Sequence, residues 1–138
     1  MSVQENQPDK LKYLVNPAIS NDKLNELFVQ SWDAHTDMDF ESIHLHSLAC
    51  VVSYNNDEPI GYINIAWDGY IHAFLLNTTV HPDWRLKGIG QALVQKAAAI
   101  AKEKGAHWLH VDYEPHLSKF YQNCGFNHTE AGLMFLKS

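Results

Sequence analysis

A change of hydrophobic period between residues 70 and 113 constrains the fold of this chain more than any other feature. Tyr70–Val80 is typical of a long strand, and its residues through Leu76 are apolar on both faces, which favours a central strand covered on both sides. From Gly88 to Lys104 the apolar residues recur at helical spacing, and Trp108–Tyr113 is again typical of a strand. The three segments predict a β-α-β unit with parallel strands and a right-handed crossover.

The residues before this unit predict a strand, a helix and a hairpin. Leu11–Val15 favours a strand, and Ser20 or Asn21 is a candidate N-cap for the helix that follows. Residues 33–47 favour a loop with a short helix. One face of the first helix carries the apolar residues Leu24, Leu27, Phe28 and Trp32. Two strand-like runs flank a cluster of turn formers and predict a hairpin: Leu48–Tyr54 and Ile60–Trp67.

The residues after the unit complete the predicted topology. Glu114-Pro115 favours the start of a short helix that Gly125 ends, and Leu133–Leu136 is typical of a last strand. The order β, α, β, β, β, α, β, α, β predicts an α/β fold with a mixed (α+β) sheet flanked by helices. A chain of 138 residues, 46% of them hydrophobic, fits one domain over residues 1–138, with residues 1–10 as a flexible tail.

Composition and charge exclude several classes of function. A formal net charge of -6 argues against a nucleic-acid surface, which needs clustered Lys and Arg. The two cysteines, Cys50 and Cys124, lack the spacing of a metal site or a disulfide framework. No signal peptide is evident at the start, and no apolar run approaches the ~20 residues that span a bilayer. We therefore expect a cytoplasmic protein without membrane or nucleic-acid partners.

The turn before the long helix is a candidate phosphate site. A helix N-terminus exposes unpaired N–H groups, and Gly88 and Gly90 keep side chains away from them. Arg85 and Lys87 add positive charge. The alternative is that the glycines serve only the close packing of the helix on the preceding strand. A P-loop is excluded because no Gly-Lys-Ser/Thr follows, and a dinucleotide fingerprint because Leu93 stands at the third glycine position.

Two motifs resemble the GNAT superfamily of N-acetyltransferases. The superfamily signature, Gln/Arg-x-x-Gly-x-Gly/Ala after a central strand, is similar to Arg85-Leu86-Lys87-Gly88-Ile89-Gly90, which follows Val80-His81-Pro82. The segment Phe120-Tyr121-Gln122-Asn123-Cys124-Gly125-Phe126 is similar to the aromatic-Tyr-x-x-x-Gly-Phe ending of many members. Together with the element order, the resemblance covers residues 11–136.

The resemblance implies a cleft for acetyl-coenzyme A (acetyl-CoA) where the central strand diverges from the strand after the crossover helix. The pantetheine arm would pair with backbone at Thr78, Thr79 and Val80. The resemblance also implies that Arg85 lies at the cofactor and that the following backbone N–H groups hold the pyrophosphate: Leu86, Lys87, Gly88, Ile89, Gly90 and Gln91.

Tyr121 matches the position that, in many members, protonates the departing CoA thiolate and lies against the cofactor. A phenol with a pKa near ~10 is protonated at neutral pH and can act as a general acid. The alternative is a tyrosine on the apolar face of the last helix, with a role in packing only.

The chain departs from the family pattern seven residues before Tyr121. Many members have an asparagine there, and this chain has Glu114. Glu114 is the preferred general base, acting through water, although an ordinary carboxylate in a first helical turn is the alternative. Other candidate bases near the strand ends are Asp68, His72, Asp112 and His116.

The acceptor is less constrained by the sequence. The aromatic residues Trp32, Phe40, Trp67 and Tyr70 are candidates to line an acceptor pocket, and the carboxylates Asp33, Asp37, Asp39 and Glu41 to attract a cationic amine. A packed core and a solvated acidic loop are the alternative. His107 and His110 would point to opposite faces of a strand, so no metal site is expected.

The sequence therefore predicts an enzyme that transfers an acetyl group from acetyl-CoA to a primary amine of a small molecule or peptide. One alternative is a non-catalytic acyl-CoA-binding or regulatory module. Another is a nucleotide-phosphate binder unrelated to CoA. Exposed strand edges near the C-terminus also suggest a homodimer.

Overall fold

The computed structural model describes residues 10–138, which form a mixed five-stranded sheet flanked by helices. The predicted tail lies outside the described residues except for Lys10. The strands are β1 (Leu11–Val15), β2 (Ser47–Asn55), β3 (Glu58–Trp67), β4 (His72–Val80) and β5 (Trp108–His110). They lie side by side in chain order, and only β4 and β5 are parallel. The predicted fold class and the parallel β-α-β unit are confirmed.

The described residues contain four α-helices that flank this sheet: α1 (Asn21–Ser31), α2 (Phe40–Leu45), α3 (Ile89–Glu103) and α4 (Ser118–Asn123). Single 3₁₀ turns, Pro82–Trp84 and Pro115–Leu117, precede α3 and α4. None of the helices within residues 10–138 combines the length and apolar character that crossing a bilayer requires.

Two separate clusters of buried side chains lie on the two faces of the sheet. On one face α3 packs through Ile89, Leu93 and Val94 onto β2, β3 and β4. On the other face α1 and α2 bury Leu24, Leu27, Phe28 and Phe40 against Val52 and Tyr62 of β2 and β3. The predicted stripe of α1 is confirmed except at Trp32, which is half-exposed because the chain leaves the helical conformation there (φ -126°, ψ 134°).

The prediction that the central strand is covered on both faces was wrong. Ala73 and Leu75 of β4 are buried on the α3 face, whereas Phe74 and Leu76 remain 39% and 42% exposed on the other. The reason is that α1 and α2 pack mainly on β2 and β3. The strand also begins at His72 and not at Tyr70, since the Asp68 carboxylate accepts the N–H groups of Tyr70 and His72 in a turn.

The predicted last strand, Leu133–Leu136, was also wrong. These four side chains are between 82% and 86% exposed, and within the described chain no backbone hydrogen bond joins residues 127–138 to the sheet. The strand expected over Trp108–Tyr113 ends at His110. An apolar run becomes a strand only where a neighbouring strand accepts its hydrogen bonds, and this segment does not lie beside one.

Candidate active site

A gap opens in the sheet along the second half of β4. The β4–β5 ladder joins only residues 72–74 to residues 108–110, and β4 continues to Val80 without a strand on that side. Parallel strands that separate in this way leave backbone N–H and C=O groups of the longer strand unpaired. Residues 75–80 therefore form one wall of a cleft that is lined by main chain.

A β-bulge lies in the same half of β4. Tyr62 pairs with Thr79 and Asn64 with Leu76, so that Asn77 and Thr78 are opposite the single residue between them on β3. Asn77 takes a left-handed conformation, with φ 60°. A bulge bends a strand and redirects its side chains, and such features are frequent beside active sites.

Hydrogen bonds of two asparagine side chains hold the bulge. The Asn77 side-chain amide donates to Asn64 Oδ1 at 2.8 Å, and Asn64 Nδ2 donates to Ser47 Oγ at 3.1 Å. Asn64 is only 1% exposed. This Asn64–Asn77 pair was not predicted from the sequence. The available signal was an asparagine inside each of two apolar strands, where asparagine is disfavoured.

The N–H of Val80 is directed into the cleft. His81 donates its N–H to Ile60 O of β3 at 2.8 Å. Because backbone groups of successive strand residues point to opposite sides, the N–H of Val80 faces away from β3, toward the gap. Within residues 10–138 no acceptor for it is found.

Arg85 is placed differently from the position expected for a pyrophosphate contact. Its Nε donates to Val80 O at 3.1 Å, and its Nη2 donates to Ser31 O at 2.8 Å. The guanidinium thus joins the end of β4 to the end of α1. Lys87 keeps its charge near the turn, with Nζ 5.6 Å from the ring centroid of Trp84.

The N-terminus of α3 is open. Gly88 is the N-cap residue, with φ 84°, and no side chain accepts a hydrogen bond from the first turn. In the described part of the chain, the N–H groups of Leu86, Lys87, Gly88, Ile89, Gly90 and Gln91 have no protein acceptor. Several unpaired donors at the positive end of a 15-residue helix form an anion-binding arrangement.

The two glycines of the turn have different physical roles. A Cβ on Gly88 would meet no atom within 4 Å, but its positive φ strains any L-residue. A Cβ on Gly90 would lie 3.3 Å from Phe120 Cζ and 3.7 Å from Val80 Cγ2. Close packing, the alternative weighed for both glycines, therefore applies to Gly90. The side chain of Ile89 is buried in the core, which leaves only its backbone for a ligand.

Tyr121 lies beside the bulge and is almost fully buried. Burial raises the pKa of its phenol, while a side-chain hydrogen bond with Thr78 acts in the opposite direction. The ring stacks on Tyr113 with centroids 4.8 Å apart. A raised pKa keeps the phenol protonated at neutral pH, as a general acid requires. Thr79, next to Thr78, is fully engaged: its Oγ1 accepts from Trp32 Nε1 and donates to Asn77 O.

The candidate bases are scattered. Glu114 is exposed, and in the described residues its carboxylate has no hydrogen-bond or ion-pair partner. Asp68 stabilises a turn, and His72 Nδ1 lies 2.9 Å from His110 Nε2. None of these contacts joins a base to Tyr121 or to the bulge, but the carboxylate of Asp112 lies near enough to Tyr121 to raise the pKa of its phenol by charge repulsion.

A cavity of about 510 Å³ opens next to the bulge. Its lining includes Trp32, Asp33, His35 and Asn77. Of the other residues considered for an acceptor pocket, Phe40 is buried in the core, and Trp67 and Tyr70 lie together in a turn, with Trp67 Nε1 donating to Tyr70 O. Asp39 caps α2 by accepting from Ser42.

Comparison with known structures identifies proteins of the same fold. A GNAT-family acetyltransferase from Streptococcus pneumoniae superposes with a TM-score of 0.79 at 21% identity, over 93% of this chain and 98% of that one. An aminoglycoside N-acetyltransferase, solved with CoA, gives 0.76 at 21% identity over 95% and 97%. Glucosamine-6-phosphate N-acetyltransferase from Arabidopsis thaliana gives 0.72 at 15% identity over 96% and 100%.

Sequence comparison gives the family. No curated protein sequence matches significantly. The sequence model of the acetyltransferase (GNAT) family, however, matches residues 18–126, which include the open turn, the bulge and Tyr121. Since this match covers most of the chain, the protein belongs to the GNAT family of acetyltransferases.

Proposed function

We propose that this protein transfers the acetyl group of acetyl-CoA to a primary amine by direct attack. The observation that carries the proposal is the meeting of three elements at the open half of β4. Gly90 of α3 lies against Val80 and Phe120, and the phenol of Tyr121, next to Phe120 on α4, lies near the side chain of Thr78. Free backbone donors, a polarising N–H and a protonated phenol are thus brought to one place.

The donor groups fit the two polar parts of acetyl-CoA. The unpaired N–H groups of residues 86–91 would hold the pyrophosphate, with Lys87 adding positive charge. The backbone of Thr78 and Val80 on the open side of β4 would pair with the amides of the pantetheine arm, while Thr79, between them, pairs with Tyr62 of β3. Arg85 contributes indirectly in this scheme, because it fixes the end of β4.

The chemistry assigned to the chain has two parts. The N–H of Val80 polarises the thioester carbonyl while the neutral amine attacks its carbon, which forms the C–N bond. The C–S bond then breaks, and Tyr121 gives its proton to the leaving thiolate. The proton released by the amine passes to a base, for which Glu114, acting through water, remains the proposed group.

The cavity beside Asn77 is the proposed acceptor site. It lies on the α1–α2 side of the bulge and offers the aromatic ring of Trp32 and the carboxylate of Asp33. Its volume of about 510 Å³ suits a small molecule or the end of a peptide. Two structural neighbours are named for acetylating amino sugars, and only the acceptor type, an amine, is extended to this chain.

Release of free CoA thiol from acetyl-CoA, measured with a panel of small amines and peptides, tests the proposal. We expect amine-dependent release that saturates in both substrates. Binding of acetyl-CoA without release for any amine would contradict catalysis and favour the alternative of a non-catalytic acyl-CoA-binding module. Absence of both binding and release would remove the basis for either function.

A further inference from the structure

The cavity next to the bulge is lined by two polar side chains whose hydrogen-bonding roles are set by the protein interior. These are His35, in the loop between α1 and α2, and Asn77, in the bulge of β4. A histidine nitrogen or one end of an amide can donate or accept a hydrogen bond, depending on the tautomer or the orientation of the group. The protein partners of both side chains decide which role remains for a ligand.

The role of Asn77 follows from a series of three hydrogen bonds. Ile43 O can only accept, so the hydroxyl of Ser47 donates to it at 2.7 Å and accepts from Asn64 Nδ2. The other end of the Asn64 amide is therefore Oδ1, which accepts from Asn77 Nδ2. The remaining end of the Asn77 amide is Oδ1, and within residues 10–138 no donor to it is found. Asn77 thus offers a hydrogen-bond acceptor.

The role of His35 follows from its contact with Asn25, which is only 7% exposed. Asn25 Nδ2 donates to Asn21 O and Met38 O, and Asn25 Oδ1 accepts the N–H of Met38 at 2.8 Å. Because backbone groups have fixed roles, the orientation of this amide is fixed as well. His35 Nε2 lies 2.8 Å from Asn25 Oδ1 and must donate to it. In the neutral imidazole Nδ1 is therefore an acceptor, and the described chain provides no donor to it.

The other groups of the cavity also favour hydrogen-bond donors and positive charge. Asp33 lines the cavity, is exposed, and has no ion-pair partner among the described residues. Trp32 presents its ring but no free donor, because its Nε1 donates to Thr79 Oγ1 at 2.9 Å. Among the described residues that line the cavity, none is Lys or Arg. An anionic group would therefore meet a carboxylate and side-chain acceptors, without a cation to replace its hydration.

We propose that the cavity binds an amine with a second hydrogen-bond donor, an ammonium or a hydroxyl group, and without an anionic group, and that this molecule is the acetyl acceptor. The second donor group binds His35 Nδ1 and Asn77 Oδ1. A positive charge on it is stabilised further by the carboxylate of Asp33 and by the ring of Trp32. The identification as the acceptor rests on the proposed acetyl transfer, whereas the preference for donor groups rests on the cavity alone.

The position of the cavity limits the size of the acceptor. Asn77 precedes Val80, whose N–H is assigned to the thioester carbonyl, by three residues, or about 10 Å of strand. Phe28 and Met38 also line the cavity and can contact methylene groups. A short carbon chain between the reacting nitrogen and the second donor group therefore fits.

Release of CoA thiol with four matched amines tests the preference. Each has a four-carbon chain with an amine at one end, and the other end carries an ammonium (diaminobutane), a hydroxyl (aminobutanol), a methyl (butylamine) or a carboxylate (aminobutyrate). At about pH 8, where imidazole side chains are neutral, we expect kcat/KM to fall in that order. The diamine should exceed aminobutyrate by about 10²-fold or more, since like charges in contact are strongly unfavourable. Equal values for all four, or a preference for aminobutyrate, would overturn the proposal and leave acetyl transfer itself intact.

Reversal of charge tests the contribution of Asp33. Asp33→Lys should lower the ratio of kcat/KM for the diamine to that for aminobutyrate by at least about 10-fold. Glu103→Lys makes the same change in net charge at an exposed residue of α3, on the other face of the sheet, and should leave this ratio close to that of the wild type. Equal ratios in the two variants would contradict a role for Asp33 in selecting the acceptor.

Removal of the imidazole tests the contribution of His35. His35→Phe keeps a ring at the cavity and removes the acceptor, so kcat/KM for the diamine should fall about 10-fold more than that for butylamine, which has no second donor. Equal losses for both amines would show that His35 acts only in the packing of its loop.

Calorimetry of the same four amines with the CoA-bound protein separates this inference from the proposed function. If no amine releases thiol, the transfer function fails. Tighter binding of the diamine than of aminobutyrate, weakened by Asp33→Lys, would still support the selectivity of the cavity. Absence of such selective binding would overturn the selectivity as well.

Discussion

The two long helices of this protein begin in opposite ways. α1 begins with Ser20, whose Oγ accepts the N–H of Lys23 at 3.1 Å, and Asp22 adds negative charge to its first turn. α3 begins with Gly88 in the left-handed region, with no capping side chain and no acidic residue in its first turn. Both helices lie on the same sheet.

The difference indicates what each helix start is for. In α1 the protein satisfies its own backbone donors, which stabilises the fold and leaves little for a ligand. In α3 the donors are left free beside the cleft of β4, at some cost in stability, which is the arrangement that we propose for binding the pyrophosphate. Changes at the α1 start should therefore affect stability alone, whereas changes around the α3 start should affect ligand binding and turnover.

The largest expected effect is on turnover, for a change at Tyr121 beside the open half of β4. Tyr121→Phe keeps the buried ring and removes the acidic hydroxyl, so we expect kcat to fall by about 10²-fold or more, with acetyl-CoA affinity nearly unchanged. Tyr113→Phe, on the ring that stacks against Tyr121, is the control. Equal losses from both variants would show that the two rings act only in packing.

A change in the bulge should affect both stability and turnover. Asn64→Leu leaves the Asn77 amide without its partner, and we expect the free energy of unfolding to fall by about 1 to 3 kcal/mol, together with a lower kcat. Adding Asn77→Gly should restore part of both, because glycine adopts φ 60° without support from a side chain. Denaturant unfolding and steady-state kinetics measure the two effects. A kcat that does not respond to either change would separate the bulge from catalysis.

A smaller effect is expected at the capped N-terminus of α1. Ser20→Ala removes the cap of α1 and should lower the free energy of unfolding by about 1 kcal/mol. The stabilisation produced by acetyl-CoA should stay the same, since the α3 start is unchanged. A loss of acetyl-CoA binding in this variant would break the distinction between the two helix starts.

The last predicted effect is a loss of stability at alkaline pH, and it is absent at neutral pH. Burial raises the pKa of Tyr62 and of Tyr121 above the value of about 10 in the unfolded chain. Below about pH 10 both phenols are protonated in the folded and in the unfolded chain, so their contribution to stability is fully present. As the pH rises further, the unfolded chain releases its phenolic protons first, and this contribution is lost. Urea unfolding from about pH 8 to about pH 11 should show this decline, and Tyr121→Phe should reduce it. An unchanged decline would place Tyr121 in a solvated environment.

The elements that local pattern determines were predictable. β1 occupies the predicted Leu11–Val15, and α3 follows the predicted helical segment to within one residue at each end. Both have clear periodicity and clear stop signals. Leu133–Leu136 has an equally clear apolar pattern but no neighbouring strand in the described chain, and pairing depends on distant residues that a local pattern does not contain.

The backbone part of the site was predictable from the sequence, whereas the side-chain contacts were less so. The open turn at Gly88 follows from the glycine positions and the helix start, which are local. The contacts of Arg85 with Val80 and Ser31, and of Asn64 with Asn77, depend on how distant segments pack. The charge of Arg85 was therefore assigned to a ligand, although in the fold its guanidinium joins the end of β4 to the end of α1.

The most direct test of the central claim is thermal unfolding of the wild type and two variants with saturating acetyl-CoA, and with ATP as the control ligand. Gly88→Glu puts a carboxylate at the proposed pyrophosphate site. Gly105→Glu makes the same change at a glycine with φ 99° and free space at the other end of α3. Acetyl-CoA at roughly 100 times its Kd should add about 2.7 kcal/mol of stability to the wild type and to Gly105→Glu, and none to Gly88→Glu. Equal stabilisation of both variants, or none of the wild type, would contradict the claim that the α3 start binds acetyl-CoA.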